Sequence, residues 1–210
     1  MNEVIPGILE QEWGEIEKKL AVIKPFSKTI HIDLLDGKFA PNTTFLDPTP
    51  FAKYSKEFFF ELHMMVDEPI DFLDPWAKAG IRRFIGQVEK MEDQIAFVAK
   101  AQTLGEVGLA IDATTKPEAI TVDYNDLDFL FAMTVKAGFS HQSFLPECLE
   151  KVRNFRSKTN LPIEVDGGIN DVTILEAKKA GATRFISTGY LFKSDDPTAA
   201  YKHLSACVLD

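Results

Sequence analysis

Short apolar runs alternate with stretches of three- and four-residue apolar periodicity along the whole chain, and this alternation constrains the fold more than any other feature. Eight runs read as strands: EVIPGIL, TIHIDLL, EFFFELHMMV, RRFIGQV, VGLAID, LDFLFAMTV, PIEVDG and TRFIST. The stretches QEWGEIEKKLAVI, PFAKYSKE, IDFLDPWAKAG, EDQIAFVAKAQTLG, KPEAITVD, PECLEKVRNFRSK, DVTILEAKKAG and PTAAYKHLSACV read as helices between and after them. Such alternation is the pattern of βαβ units. Val172, Leu175 and Ala180 share the spacing of one helix face, as do Ile95, Val98 and Leu104, so each set is expected to pack on the sheet. Gly80, Gly105 and Gly181 stand where a helix end takes a left-handed residue before the next strand.

Eight strand-helix units in 210 residues suit an α/β fold closed as a (β/α)8 TIM barrel, one domain over residues 1–210. The alternative, an open doubly wound sheet, would show fewer strands and a G-x-G-x-x-G turn after the first, where this chain has GILEQEW.

Charge narrows the range of partners. The formal net charge is -9, from 23 Lys plus Arg against 32 Asp plus Glu, so the chain has no basic surface for nucleic acid. An acidic protein that binds an anionic substrate must use local backbone N–H donors instead. Cys148 and Cys207 lack metal-like or redox-like spacing, and the N-terminal stretch lacks the signature of a leader. No apolar run approaches the roughly 18 residues of a membrane span. A cytoplasmic protein without membrane contact is expected.

In a barrel of this kind the active site lies at the C-terminal ends of the strands. His31 and Asp33 are two residues apart on one strand and so face the same side. His63 falls late in the third strand and Asp166 closes the seventh. Two imidazoles and two carboxylates at one barrel mouth would suit a divalent metal such as zinc, iron or manganese. Any one of them alone is commonly just a hydrogen-bonded polar residue. Glycines follow strands six, seven and eight in KAGFSHQSF, VDGGIN and STGYLF. Such turns either simply reverse the chain or expose N–H groups to a phosphate, and the loops after strands seven and eight are this fold's common phosphate site.

These segments resemble a known family. HIDLLDGKFAPN looks like the ribulose-phosphate 3-epimerase segment H-V-D-x-M-D-G-x-F-V-P-N, and ELHMMVDEP is similar to H-L-M-V-x-x-P. AMTVKAGFSHQSF resembles M-T-V-x-P-G-F-G-G-Q-x-F, and IEVDGGIN matches E-V-D-G-G-I, in order across most of the chain. The resemblance implies that His31, Asp33, His63 and Asp166 bind one divalent ion, whether zinc, iron, manganese or cobalt. It also implies that Asp33 and Asp166 act as acid and base. Inverting C3 of a ketose phosphate removes a proton from one face and returns one to the other, through a 2,3-enediolate that a Lewis acid stabilises. Met65 and Met133 match methionines beside the substrate. Gly138, Phe139, Ser140, His141, Gly167, Gly168, Thr188 and Gly189 match the residues that hold its phosphate. A homo-oligomer is expected, since relatives commonly assemble.

The chain departs from the pattern at several positions. Gly7 stands in IPGIL where a substrate-facing serine is usual, Ser140 and His141 replace glycines, and Thr188-Gly189 replaces Gly-Ser. Gln87 stands where histidine is common, Leu35 replaces methionine and Ala137 replaces proline. The resemblance therefore leaves three readings open: an epimerase of D-ribulose 5-phosphate, an epimerase of a hexulose (allulose) 6-phosphate, and a barrel that binds sugar phosphate without catalysis. Barrels that decarboxylate or condense sugars usually carry a lysine among their catalytic carboxylates, and Lys38 lies beyond its strand.

Overall fold

The computed structural model describes residues 2–139 and 142–209. Eight parallel strands, β1 (Glu3–Ile8), β2 (Thr29–Leu35), β3 (Phe59–Met65), β4 (Arg83–Gln87), β5 (Glu106–Ile111), β6 (Phe129–Met133), β7 (Ile163–Asp166) and β8 (Arg184–Ser187), close into a barrel in sequence order. Strand β1 completes the ring by pairing with β8, with Ile5 opposite Ile186. Every expected strand is present.

Helices α1 (Trp13–Ile23), α2 (Leu73–Lys78), α3 (Gln94–Gln102), α4 (Leu149–Lys158), α5 (Thr173–Ala180), α6 (Gly189–Phe192) and α7 (Pro197–Val208) lie along the chain between and after the strands. Local chemistry sets two of their starts: Asp93 and Asp196 accept from the backbone N–H of Ala96 and Ala199, capping α3 and α7. Two expected helices are 3-10 turns instead, at Thr49–Tyr54 and Pro117–Ala119. In KPEAITVD the run Ile120, Thr121, Val122 is β-branched and disfavours continued helix. The short helix α6 was not expected from the sequence.

Helix faces also need correction. Val172, Leu175 and Ile95 are 62%, 50% and 71% exposed, whereas Ala180 and Val98 are buried and Leu104 is partly buried against the core, as expected; Ile174 and Ala177 in α5 and Phe97 and Ala101 in α3 complete the packed faces. Spacing alone allowed neighbouring stripes, and packing kept Ala180 and Val98 while turning the rest of each face to the adjacent positions. Gly80 and Gly181 take the expected positive φ, at 103° and 111°. Gly105 does not, and is glycine for another reason: a Cβ there would lie 2.2 Å from the Arg82 carbonyl oxygen.

The apolar core is divided in two. The larger part lies between strands and helices, and a smaller one fills the barrel interior with Ile5, Leu35, Met65, Ile85, Phe129, Phe131, Met133 and Ile186. The interior is therefore packed, as expected of a barrel of this size, and its polar residues are confined to particular strand positions.

Candidate active site

Strand periodicity and register bring the four expected ligands together. Asp33 pairs with His63 across β2 and β3, His31 lies two residues below Asp33 on the same face, and Asp166 ends β7. One ligand atom from each of His31, Asp33, His63 and Asp166 lies within 4.8 Å of all the others. His31 Nε2 and His63 Nδ1 both face Asp33 Oδ1, at 3.3 and 3.2 Å.

The opposite ring nitrogens are also engaged. His31 Nδ1 donates to Glu61 Oε1 at 2.7 Å, and His63 Nε2 lies 2.7 Å from Gln87 Oε1. These contacts aim one nitrogen of each ring at the cluster, the arrangement by which proteins orient metal-ligating histidines. Two imidazoles and two carboxylates, already gathered and oriented, fit a divalent ion.

Below the cluster the barrel holds a charge network that the sequence reading missed. Arg83 Nη1 reaches Glu61 Oε2 at 2.5 Å and Arg83 Nε reaches Glu106 Oε2 at 2.7 Å, while its guanidinium stacks over Phe59 and Phe129. Glu164, wholly buried, has His31 Nδ1 at 3.7 Å and Arg184 Nη1 at 3.8 Å. The signal was in the sequence: Glu61 and Glu164 precede His63 and Asp166 by two residues, which on a strand means the same inward face.

Burial opposes ionisation of Asp33, yet the adjacent imidazoles of His31 and His63 hold its carboxyl well below the usual range. Asp166 goes the other way: burial and the Asp33 carboxylate push it up to about 7. Burial likewise opposes charge on His31, but the Asp33 and Glu61 carboxylates outweigh it and raise the imidazole well above its ordinary value. Burial also pushes Glu164 well up, with the charge of Glu61 adding to it.

A cavity of about 950 Å³ opens above this cluster, with Asp33, Asp166, Met65 and Met133 in its wall. Gly138, Phe139, Gly167, Gly168, Thr188 and Gly189 also line it. His31 and His63 sit beneath it, wholly buried. Gly7 is buried and not among the lining residues, and Thr188 forms the wall beside it. Ser140 and His141 lie outside the described residues.

Residues 3–192 match the model of the "Ribulose-phosphate 3 epimerase family". The chain is 33% identical over 214 residues to a ribulose-phosphate 3-epimerase of Schizosaccharomyces pombe, covering 99% of this chain and 94% of that one. It is 29% identical to the rice (Oryza sativa subsp. japonica) protein named as the cytoplasmic isoform, covering 93% and 89%. Among solved structures, a 3-hexulose-6-phosphate synthase superposes with a TM-score of 0.70 at 21% identity, covering 100% of both chains. A Streptococcus mutans protein titled KGPDC gives 0.75 at 9%, covering 99% of this chain and 97% of that one. These last two likenesses concern the fold alone. No helix among the described residues is long and apolar enough to cross a membrane. With the family model spanning all eight strands and a relative one-third identical along nearly its full length, the chain belongs to the ribulose-phosphate 3-epimerase family of carbohydrate isomerases.

Proposed function

We propose that this protein inverts C3 of D-ribulose 5-phosphate to give D-xylulose 5-phosphate, with Asp33 and Asp166 as the acid-base pair. The observation that carries the reading is that both carboxylates, from strands far apart in the sequence, line one cavity directly above two oriented imidazoles. A carboxylate on each face of the substrate is what inversion demands: one takes the C3 proton and leaves its electron pair in a 2,3-enediolate, and the other returns a proton from the opposite side.

His31 Nε2, His63 Nδ1 and carboxylate oxygens of Asp33 and Asp166 would hold a divalent ion. Such an ion supplies electrostatic stabilisation for the negative charge that develops on the substrate oxygens. Glu61 and Gln87 keep the two rings turned toward the cluster. Met65 and Met133 line the wall with polarizable, adaptable surface. Backbone N–H groups in the turns after β7 and β8, at Gly167, Gly168 and Gly189, are the phosphate donors. The short helix α6, which starts at Gly189, lies where barrels of this fold commonly bind phosphate. Backbone donors suit a chain whose net charge is -9.

Turnover of D-ribulose 5-phosphate in deuterated water tests the reading. Deuterium should enter at C3 with the metal-loaded protein, and Asp33→Asn or Asp166→Asn should each abolish it while leaving the fold intact. Activity confined to a hexulose 6-phosphate would move the substrate to six carbons. No incorporation from either sugar would favour a binding protein.

A further inference from the structure

A Cβ built on Gly7 would lie 2.3 Å from Thr188 Oγ1 and 2.9 Å from Ile186 Cγ2. Gly7 has no positive φ, so its backbone would accept any side chain. It must be glycine because the Thr188 hydroxyl occupies the space where a residue-7 side chain would begin.

That hydroxyl has been diverted from the task its position would ordinarily give it. Thr188 is the N-cap residue of α6, where a threonine usually accepts from a backbone N–H in the first turn. Here the side chain makes no capping bond, and no hydrogen bond to it is found among the described residues. Thr188 is half-buried and lines the cavity that holds Asp33 and Asp166.

Register shows which part of the cavity it serves. Strand β1 lies between β8 and β2, with Ile5 opposite Ile186 and Gly7 opposite His31. Thr188, two residues beyond Ile186, therefore stands level with Gly7 and His31. Its hydroxyl leans over β1, on which Gly7 faces His31 of β2, while the backbone of the next residue, Gly189, belongs to the turns proposed for phosphate.

From this we infer that the Thr188 hydroxyl is a specificity-determining hydrogen-bond partner for a hydroxyl or carbonyl oxygen of the sugar chain, and that Gly7 is its steric counterpart on the neighbouring strand. In this chain the polar contact of the β1 wall is supplied from β8. The inference rests on the ketose-phosphate reading for its ligand, but the exclusion between residues 7 and 188 stands without it.

Two measurements separate these parts. The first is a thermal-unfolding cycle of Gly7→Ala, Thr188→Gly and the double variant, which needs no substrate. Gly7→Ala alone should lower Tm by several degrees, and adding Thr188→Gly should restore most of the loss, the remainder reflecting the approach of Ile186. Additive effects would overturn the steric exclusion.

The second is steady-state turnover of D-ribulose 5-phosphate by wild type, Thr188→Val, Thr188→Ser, Thr188→Gly and Gly7→Ser/Thr188→Gly. Valine keeps the shape and removes the hydroxyl, so kcat/KM should fall about tenfold, as for one hydrogen bond, with Tm unchanged. Serine should hold activity within about threefold of wild type, and the double variant, with its hydroxyl back on β1, should exceed Thr188→Gly alone. Full activity in Thr188→Val would overturn the role of the hydroxyl. An inactive wild type would instead count against the ketose-phosphate reading, and the hydroxyl's role would fall with it.

Discussion

His63 Nε2 lies 2.7 Å from Gln87 Oε1, with both side chains wholly buried, and this contact decides which nitrogen of His63 faces Asp33. With a divalent ion bound, the amide oxygen would accept the Nε2 proton and leave Nδ1, 3.2 Å from Asp33 Oδ1, to face the cluster as a ligand. Gln87→Leu should weaken divalent-metal affinity by roughly 10- to 100-fold. Competition against a chelator of known strength measures it, and unchanged affinity would show that the ring needs no such partner.

Arg83 lies over Glu61 in the barrel interior, where its guanidinium and the His31 ring together balance that carboxylate. Arg83→Leu leaves a buried, poorly compensated charge and should cost about 3–5 kcal/mol of stability in denaturant unfolding. Adding Glu61→Gln should recover much of it, because glutamine still accepts the His31 proton without carrying charge. A single-variant loss below about 1 kcal/mol would mean that the pair does not bear on stability.

The metal-free protein should depend on pH through Asp166. Its folded pKa, about 7, lies above the unfolded value, so the folded state holds the extra proton. The stability this gives is complete below the unfolded carboxylate pKa and is lost as pH rises toward 7. Asp33 works in the opposite direction: its folded pKa is depressed, so its contribution is present above the unfolded pKa and disappears only in strong acid. Calorimetric metal titration in buffers of different ionisation enthalpy should show proton release at about pH 6, with affinity rising toward about pH 8. Proton-free binding at the lower pH would contradict it.

Two glycines should respond to alanine in opposite ways. Gly14, in the first turn of α1, has no heavy atom within 4 Å of a built Cβ, so Gly14→Ala should stabilise by up to about 1 kcal/mol. Gly105→Ala places a methyl 2.2 Å from a backbone oxygen and should destabilise by about 1–3 kcal/mol. Chemical denaturation of both variants settles the signs.

Strand count was legible in the sequence from the alternation of apolar runs with helical stretches, and the shared face of His31 and Asp33 was legible because a two-residue period is a local property of the extended chain. That period placed His31 with Asp33; the strand-end positions of His63 and Asp166 added the other two candidate ligands, and the resemblance of four segments pointed to the same set. Tertiary structure alone decided what stands across from what. Helical spacing could not tell Leu175 from Ile174 as the buried residue of α5, since neighbouring stripes differ by one position and only packing against the sheet separates them. Nor could it show Glu61 beneath His31, Gln87 behind His63, or the Thr188 hydroxyl in the place of a side chain on Gly7, 181 residues away. Those relations arise when the barrel closes and its register is set, which joins distant segments through contacts that no local pattern encodes.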